Sequence, residues 1–173
     1  MPYTGIGLTL GLVATGLSTV GYLISRVSQG GCPHPDLQAN FDVEKYMGLW
    51  YEFEKLPNNM QFGECTQAKY TLQEDGFVNV INSEYLIDQA KFGGIEGTAG
   101  CSDFESGACR VKFSTFMPWA PYNVLATDYD SYAIVWSCSG YFADALCLNY
   151  LWVLSREKNP SAGFKEQVDS IIL

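Results

Sequence analysis

Cysteine and histidine are the residue types in this chain that are best suited to metal binding or nucleophilic catalysis. The 173 residues include six cysteines and one histidine. The cysteines form no C-x-x-C pair, so their spacing does not predict a zinc site. His34 stands between two prolines, where a solvated loop residue is expected rather than a catalyst. We therefore predict neither a metal site nor a catalytic site.

The cysteines point to an oxidising compartment instead. Two or three disulfides are the simplest account of six cysteines, and six buried free thiols are the alternative. Cys101 and Cys109 bracket the turn-like segment 102–108, a separation that a local disulfide can close.

Composition narrows the fold and the class of ligand. The net charge of -9 argues against nucleic-acid binding, because contacts to phosphates need clustered Lys and Arg. Aromatic residues make up 14% of the chain, there are 17 glycines, and no repeat is visible. This is typical of one all-β domain, a barrel or a sandwich, rather than a helical bundle.

Short strand-like runs separated by turn residues predict an antiparallel meander. Trp50 faces one side of the first run and Tyr51 and Phe53 face the other, which only a packed or closed sheet can use. A one-turn helix capped by Asn40 or Asp42 leads into this run. After the last run, Phe164, Val168, Ile171 and Ile172 recur at helical spacing and predict a C-terminal helix. The eight predicted strands are 49–56, 65–73, 77–86, 92–100, 108–116, 122–128, 132–138 and 150–156.

Residues 1–31 read as an apolar leader and linker before a domain over 32–173. The segment 5–25 has no charged residue and is long enough for a helix to cross a bilayer. A cleaved signal peptide and a retained membrane anchor both stay open. Gly7 and Gly11 form a G-x-x-x-G pattern, through which this segment could pack against a membrane-protein partner.

Three groups of residues together resemble the lipocalin family: Gly48 and Trp50 opening the first strand, Thr127-Asp128-Tyr129 at a late turn, and Arg156 closing the last strand. The resemblance implies an eight-stranded antiparallel up-and-down barrel with a C-terminal helix and a cup open at one end. It also implies that the Arg156 guanidinium lies on the Trp50 indole at the closed end, and that Asp128 accepts backbone N–H bonds. These roles are structural.

The resemblance further implies a binding site for one small hydrophobic ligand, with no cofactor. Leu86 stands where the family has a cationic side chain near the cup, which favours a neutral lipid, sterol or tetrapyrrole-like ligand over a fatty acid. Carried over position by position, the ligand-facing residues are Tyr70, Asn82, Phe113, Tyr122, Trp152 and Leu154.

The segment with Phe116, Met117 and Trp119 joins two strands at what the resemblance makes the open end. Exposed apolar side chains there predict contact with a membrane, a lipoprotein or a partner protein, and packing over the cup as a lid is the alternative.

The resemblance also implies a disulfide between Cys32 and Cys138. The family's partner for Cys65 lies beyond the C-terminal helix, in which this chain ends, so the domain is expected to be C-terminally short and Cys65 to be free or paired with Cys147. A free Cys65 is expected to be a buried inert thiol, since no activating base lies near it in sequence.

Three functions follow from these features. The first is a non-enzymatic carrier of a small hydrophobic molecule, secreted or membrane-attached in the secretory pathway. The second is a membrane-anchored accessory subunit that uses the barrel as an interaction module, in an organellar membrane with the barrel in an oxidising compartment. The third, a Cys65-dependent enzyme, is disfavoured.

Overall fold

The computed structural model describes residues 27–58, 63–101, 105–143 and 145–172. The predicted apolar leader over 5–25 lies outside them. The strands are β1 (Val27–Gln29), β2 (Gly48–Lys55), β3 (Glu64–Leu72), β4 (Val78–Leu86), β5 (Lys91–Cys101), β6 (Ala108–Lys112), β7 (Ala120–Thr127), β8 (Tyr132–Tyr141) and β9 (Leu146–Ser155). The helices are α1 (Val43–Tyr46) and α2 (Phe164–Ile172), with a 3-10 turn at Ile87–Gln89. Within the described residues, neither helix is long and apolar enough to cross a membrane.

Strands β2 to β9 form a closed antiparallel barrel. Each strand pairs with the next along the chain, and β9 also pairs with β2, which closes the ring of eight. β1 adds to the same edge of β9 beyond the end of β2. The predicted eight-stranded up-and-down barrel is therefore confirmed, and closure leaves no long sheet edge exposed.

The strand bounds differ most from the prediction in β6 and in the β8–β9 hairpin. β6 ends at Lys112 instead of Phe116, because the backbone N–H groups of Phe116 and Met117 bond to Ser114 within a turn and leave the ladder. The β8–β9 hairpin is longer than expected, since its register continues without a break to the pair Tyr141↔Leu146.

The closed end of the barrel is filled by aromatic side chains. α1 begins after Asp42, whose carboxylate accepts the Lys45 N–H at 3.1 Å, and it ends with Tyr46 buried inside the barrel. Trp50 has no exposed surface and lies 5.2 Å from Tyr46, ring centre to ring centre. The predicted short helix and its Asp42 cap are confirmed.

The helix α2 packs on the outer wall. Phe164 meets the outward-facing Phe53 edge to face at 4.9 Å, and Val168 is fully buried against Val153. Lys165 adds an exposed ion pair with Glu54 at 2.8 Å. The helix therefore covers the side of the barrel.

Candidate ligand-binding site

The alternation of the strands brings the six predicted ligand-facing residues to the inner wall. Five of them pack in the inward-facing apolar cluster of the barrel. Asn82 shares its side of β4 with Val78 and Val80, which are buried in the same cluster. The positions are Tyr70 on β3, Asn82 on β4, Phe113 just after β6, Tyr122 on β7, and Trp152 and Leu154 on β9.

Access to the inner wall increases away from the closed end. Tyr70 and Leu154 are each 6% exposed, whereas Asn82, Phe113 and Trp152 are half-buried. Ile95, which pairs with Asn82 across β4 and β5, is 50% exposed although it shares the inward face. The inner wall is thus packed at one end and reachable by solvent toward the other, as in a cup.

Three phenols meet inside the cup. The Tyr122 hydroxyl lies 2.9 Å from that of Tyr46 and 2.8 Å from that of Tyr70. Burial raises the pKa of Tyr70 to about 12 and places the pKa values of Tyr46 and Tyr122 well above the ordinary range. All three stay protonated at neutral pH, so the buried chain of hydroxyls is neutral and bonded within itself.

Tyr46 was missed by the sequence-based prediction. The available signal was its position at the end of a one-turn helix, four residues before the inward-facing Trp50. The two are joined by a hydrogen bond from the indole N–H of Trp50 to the Tyr46 carbonyl at 2.8 Å.

Asn82 carries an unmet hydrogen-bond acceptor. Its Oδ1 atom is buried, and no donor among the described residues reaches it. A buried carbonyl oxygen without a donor costs about 1–3 kcal/mol. A hydroxyl or N–H group of a bound molecule would supply the missing donor.

An ion pair also faces the cup. Glu52 and Lys55 lie opposite Leu154 and Trp152 in the register, and their side chains meet at 2.6 Å. They are only 10% and 21% exposed. Simple alternation would turn Lys55 outward, but a bulge after Glu52 returns it to the inner face, which is why sequence reasoning missed the pair. Glu52 neutralises Lys55, so this lysine is not a free cation for a carboxylate ligand.

The residues Gly48, Trp50 and Arg156 join at the closed end. The Arg156 guanidinium lies 3.7 Å from the Trp50 ring centre and donates to the carbonyls of Leu49 and Met47, both at 2.9 Å. Gly48 has a φ of +99°, and a Cβ there would stand 3.2 Å from the guanidinium. The glycine therefore makes room for the arginine.

The turn after β7 is held by Asp128. Its carboxylate accepts the backbone N–H groups of Ser131 and Tyr132 at 2.8 and 3.0 Å, as expected for this turn, and also the Ser131 hydroxyl. Partial burial raises the pKa of Asp128, but these hydrogen bonds outweigh it and hold the pKa below its usual value. Thr127 completes the turn by accepting the Tyr129 N–H at 2.9 Å.

The β6–β7 connection exposes two of its three predicted contact residues. Phe116 is 97% exposed and Met117 55%, so neither packs over the cup as a lid. Trp119 is half-buried on the outer wall, where the charged groups of Arg110 and Lys112 lie 4.9 and 4.7 Å from its ring centre.

Two disulfides match the expected pairs, Cys32–Cys138 and Cys101–Cys109. Cys65 and Cys147 are both free thiols. The expectation that Cys65 is buried was wrong. The β3–β4 register shifts between Glu64 and Gln67, and Cys65, with a φ of +53°, is exposed at this irregularity.

A concavity lies outside the barrel. This outer groove, of about 180 Å³, runs between α2 and the wall formed by β2 and β9. Leu56, Leu151 and Ile172 line it together with charged side chains at its rim. None of the predicted ligand-facing residues lines this groove.

The chain is similar in sequence and in fold to several known proteins. A family model described as a lipocalin-like domain matches residues 41–171. Apolipoprotein D of Bos taurus is 48% identical over 128 residues, covering 73% of this chain and 67% of that protein. The outer membrane lipoprotein Blc of Citrobacter freundii is 34% identical over 137 residues, covering 76% and 71%. The structure of insecticyanin from the tobacco hornworm Manduca sexta aligns with this one at a TM-score of 0.74 and 28% sequence identity. The alignment covers 84% of this chain and 79% of the insecticyanin chain.

Proposed function

The chain belongs to the lipocalin family, and from that premise we propose that it binds one neutral, largely apolar molecule inside the barrel. We further propose that a hydroxyl or N–H group of this molecule donates a hydrogen bond to Asn82. Family membership supports binding and transport of a small hydrophobic ligand at the coarse level. The identity of the contacts is our proposal.

The unmet Oδ1 of Asn82 is the observation that carries this proposal. It lies on a wall with apolar and aromatic members such as Phe113 and Trp152. Apolar surface removed from water contributes about 25 cal/mol per Å², so each 100 Å² of ligand covered by this wall favours binding by about 2.5 kcal/mol. The paired charges of Glu52 and Lys55 supply no free cation, which favours a neutral ligand.

Retinol is a suitable probe, because it has an apolar body with one hydroxyl and its own fluorescence reports binding. We expect saturable binding of one retinol per chain. Trp152→Ala should weaken this binding at least tenfold, because the indole presents a large part of the wall. Trp119→Ala, on the outer surface, is the matched control and should leave the affinity within about twofold. Equal affinities for the two variants would contradict the assigned wall.

We also propose that the open end of the barrel contacts a lipid surface. Alternate strands run in opposite directions, so the β4–β5, β6–β7 and β8–β9 connections share one end of the barrel. Each exposes an apolar side chain there: Ile87 is 58% exposed, Phe116 97% and Phe142 81%. Monomeric proteins rarely expose such groups together without a partner, and an apolar ligand could pass from a bilayer into the cup at this end.

Vesicle flotation tests this contact. We expect the protein to float with phosphatidylcholine vesicles containing phosphatidylserine, since Arg110 and Lys112 lie near the β6–β7 connection. Phe116→Ser combined with Phe142→Ser should abolish flotation. Ile81→Ser removes a 41% exposed apolar residue from the barrel wall and should have no effect. Flotation that survives the double substitution would exclude this surface.

The membrane-anchored accessory subunit remains a second proposal. It depends on residues 5–25, which lie outside the described residues, and on retention of that segment in the mature protein. Intact-mass analysis of native protein reports retention directly. A retained leader in a stable membrane assembly without bound ligand favours the accessory role, and a cleaved leader excludes it.

A further inference from the structure

A third sulfur lies beside the Cys32–Cys138 disulfide. The Sγ atoms of Cys32, Cys138 and Cys147 all lie within 4.8 Å of one another. Cys147 is a free thiol, only 1% exposed, on the outward face of β9. Its Sγ is 2.7 Å from the Ser28 hydroxyl on β1. The neighbours therefore hold this thiol next to the bond that ties the N-terminal segment to β8.

We propose that Cys147 exchanges with this disulfide and that the protein has two alternative tethers for its N-terminal segment, Cys32–Cys138 and Cys32–Cys147. In the exchange, the Cys147 thiol loses its proton and its sulfur attacks the Cys32 sulfur. A Cys32–Cys147 bond forms, the Cys32–Cys138 bond breaks, and Cys138 leaves as a thiolate that takes up a proton. The number of thiols and disulfides is unchanged, so the step needs neither an oxidant nor a reductant.

The backbone favours Cys32 as the shared partner. Cys32 lies in a segment without regular secondary structure, so its sulfur can be redirected with little rearrangement. Cys138 and Cys147 are fixed in β8 and β9 and are not opposite each other, since Cys138 pairs with Asn149 in the register. A bond between these two would have to cross the hairpin diagonally.

The surroundings also assist the step. The amide nitrogen of Asn149 donates toward the Cys147 sulfur at 3.6 Å, a contact that stabilises negative charge as the thiol becomes a nucleophile. β1 pairs with β9 so that Ser28 stands opposite Cys147. The N-terminal segment therefore already lies against β9, and the second tether would hold it close to its present position.

Disulfide mapping in full-length protein tests the exchange. All variants carry Cys65→Ser, which removes the exposed thiol and its own exchange reactions. After incubation with catalytic reduced glutathione, free thiols are alkylated and the linked peptides are identified by mass spectrometry. We expect a Cys32–Cys147 peptide beside the Cys32–Cys138 peptide, with Cys138 alkylated in the first form. Adding Cys147→Ser should leave Cys32–Cys138 alone.

Cys138→Ser provides the second measurement, and a native-like circular dichroism spectrum of the same sample reports that the barrel has folded. Here we expect Cys32 to be linked to Cys147 after air oxidation. Detection of the Cys32–Cys147 link in either protein supports the proposal. Its absence from both, with Cys147 alkylated throughout, overturns it.

Discussion

Replacing Asn82 by leucine should remove the preference of the cup for a ligand that donates a hydrogen bond. In the native protein the buried Oδ1 has no donor, so a ligand hydroxyl gains a hydrogen bond that an ether cannot form. Such a difference is worth about 1–3 kcal/mol, which corresponds to about 5- to 150-fold in affinity. Leucine has a similar size and no acceptor, so in Asn82→Leu the difference should fall to about twofold or less.

The assay compares retinol with retinyl methyl ether, which share one apolar body and differ at the head group. Equilibrium titrations with both probes are made on the native protein, on Asn82→Leu and on Asn79→Leu. Asn79 lies on the outer face of the same strand, and its side-chain amide donates a hydrogen bond to Glu96. Its replacement should therefore keep the native preference for retinol. A preference for retinol that is equally large in Asn82→Leu would refute the reasoning, because another group would then be the acceptor.

Three further predictions concern the closed end and the phenols. Arg156→Met removes a guanidinium that lies over an indole and bonds to several carbonyls. We expect urea titration to show that the free energy of unfolding falls by about 3–5 kcal/mol, and that Arg156→Lys recovers less than half of this loss. A loss below about 1 kcal/mol would contradict this role. Because the pKa of Tyr70 is raised to about 12, its contribution to stability is complete below pH 10 and is lost as the pH rises toward 12, by about 2–3 kcal/mol. Tyr70→Phe should remove this part of the alkaline loss and leave the part due to Tyr46 and Tyr122, and an unchanged pH profile would count against it. The lowered pKa of Asp128 stabilises the fold above the usual pKa of a carboxyl group, and this stabilisation is lost as the pH falls below it. Asp128→Asn should therefore make the free energy of unfolding less dependent on pH in this acid range. Identical acid transitions in both proteins would refute this.

The closed barrel could be predicted because its signals are local. Gly48, Trp50 and Arg156 stand at the starts and ends of strands, and the turn at Asp128 is built by a side chain that bonds to the next few backbone N–H groups. The six predicted ligand-facing positions came from the family resemblance, and strand alternation accounts for their lying on one side of the sheet. These features follow from short stretches of sequence whose pairing is regular.

The features that were missed depend on irregular pairing or on contacts between distant segments. A bulge turned Lys55 toward the cup, and a second irregularity exposed Cys65. Neither bulge contains a glycine or another residue that would indicate it in the sequence. Cys147 lies near Cys32 because β1 pairs with the edge of β9. This pairing joins distant segments, since Ser28 and Cys147 are 119 residues apart in the sequence.

The location of a bound molecule tests the central claim most directly. A long-chain alcohol carrying a diazirine is equilibrated with the protein, irradiated, and the labelled residues are mapped by peptide mass spectrometry. We predict labelling of inward-facing residues, with Phe113 and Trp152 among them. Labelling confined to Leu56, Leu151 and Ile172 in the outer groove, or no saturable labelling at all, would contradict a ligand site inside the barrel.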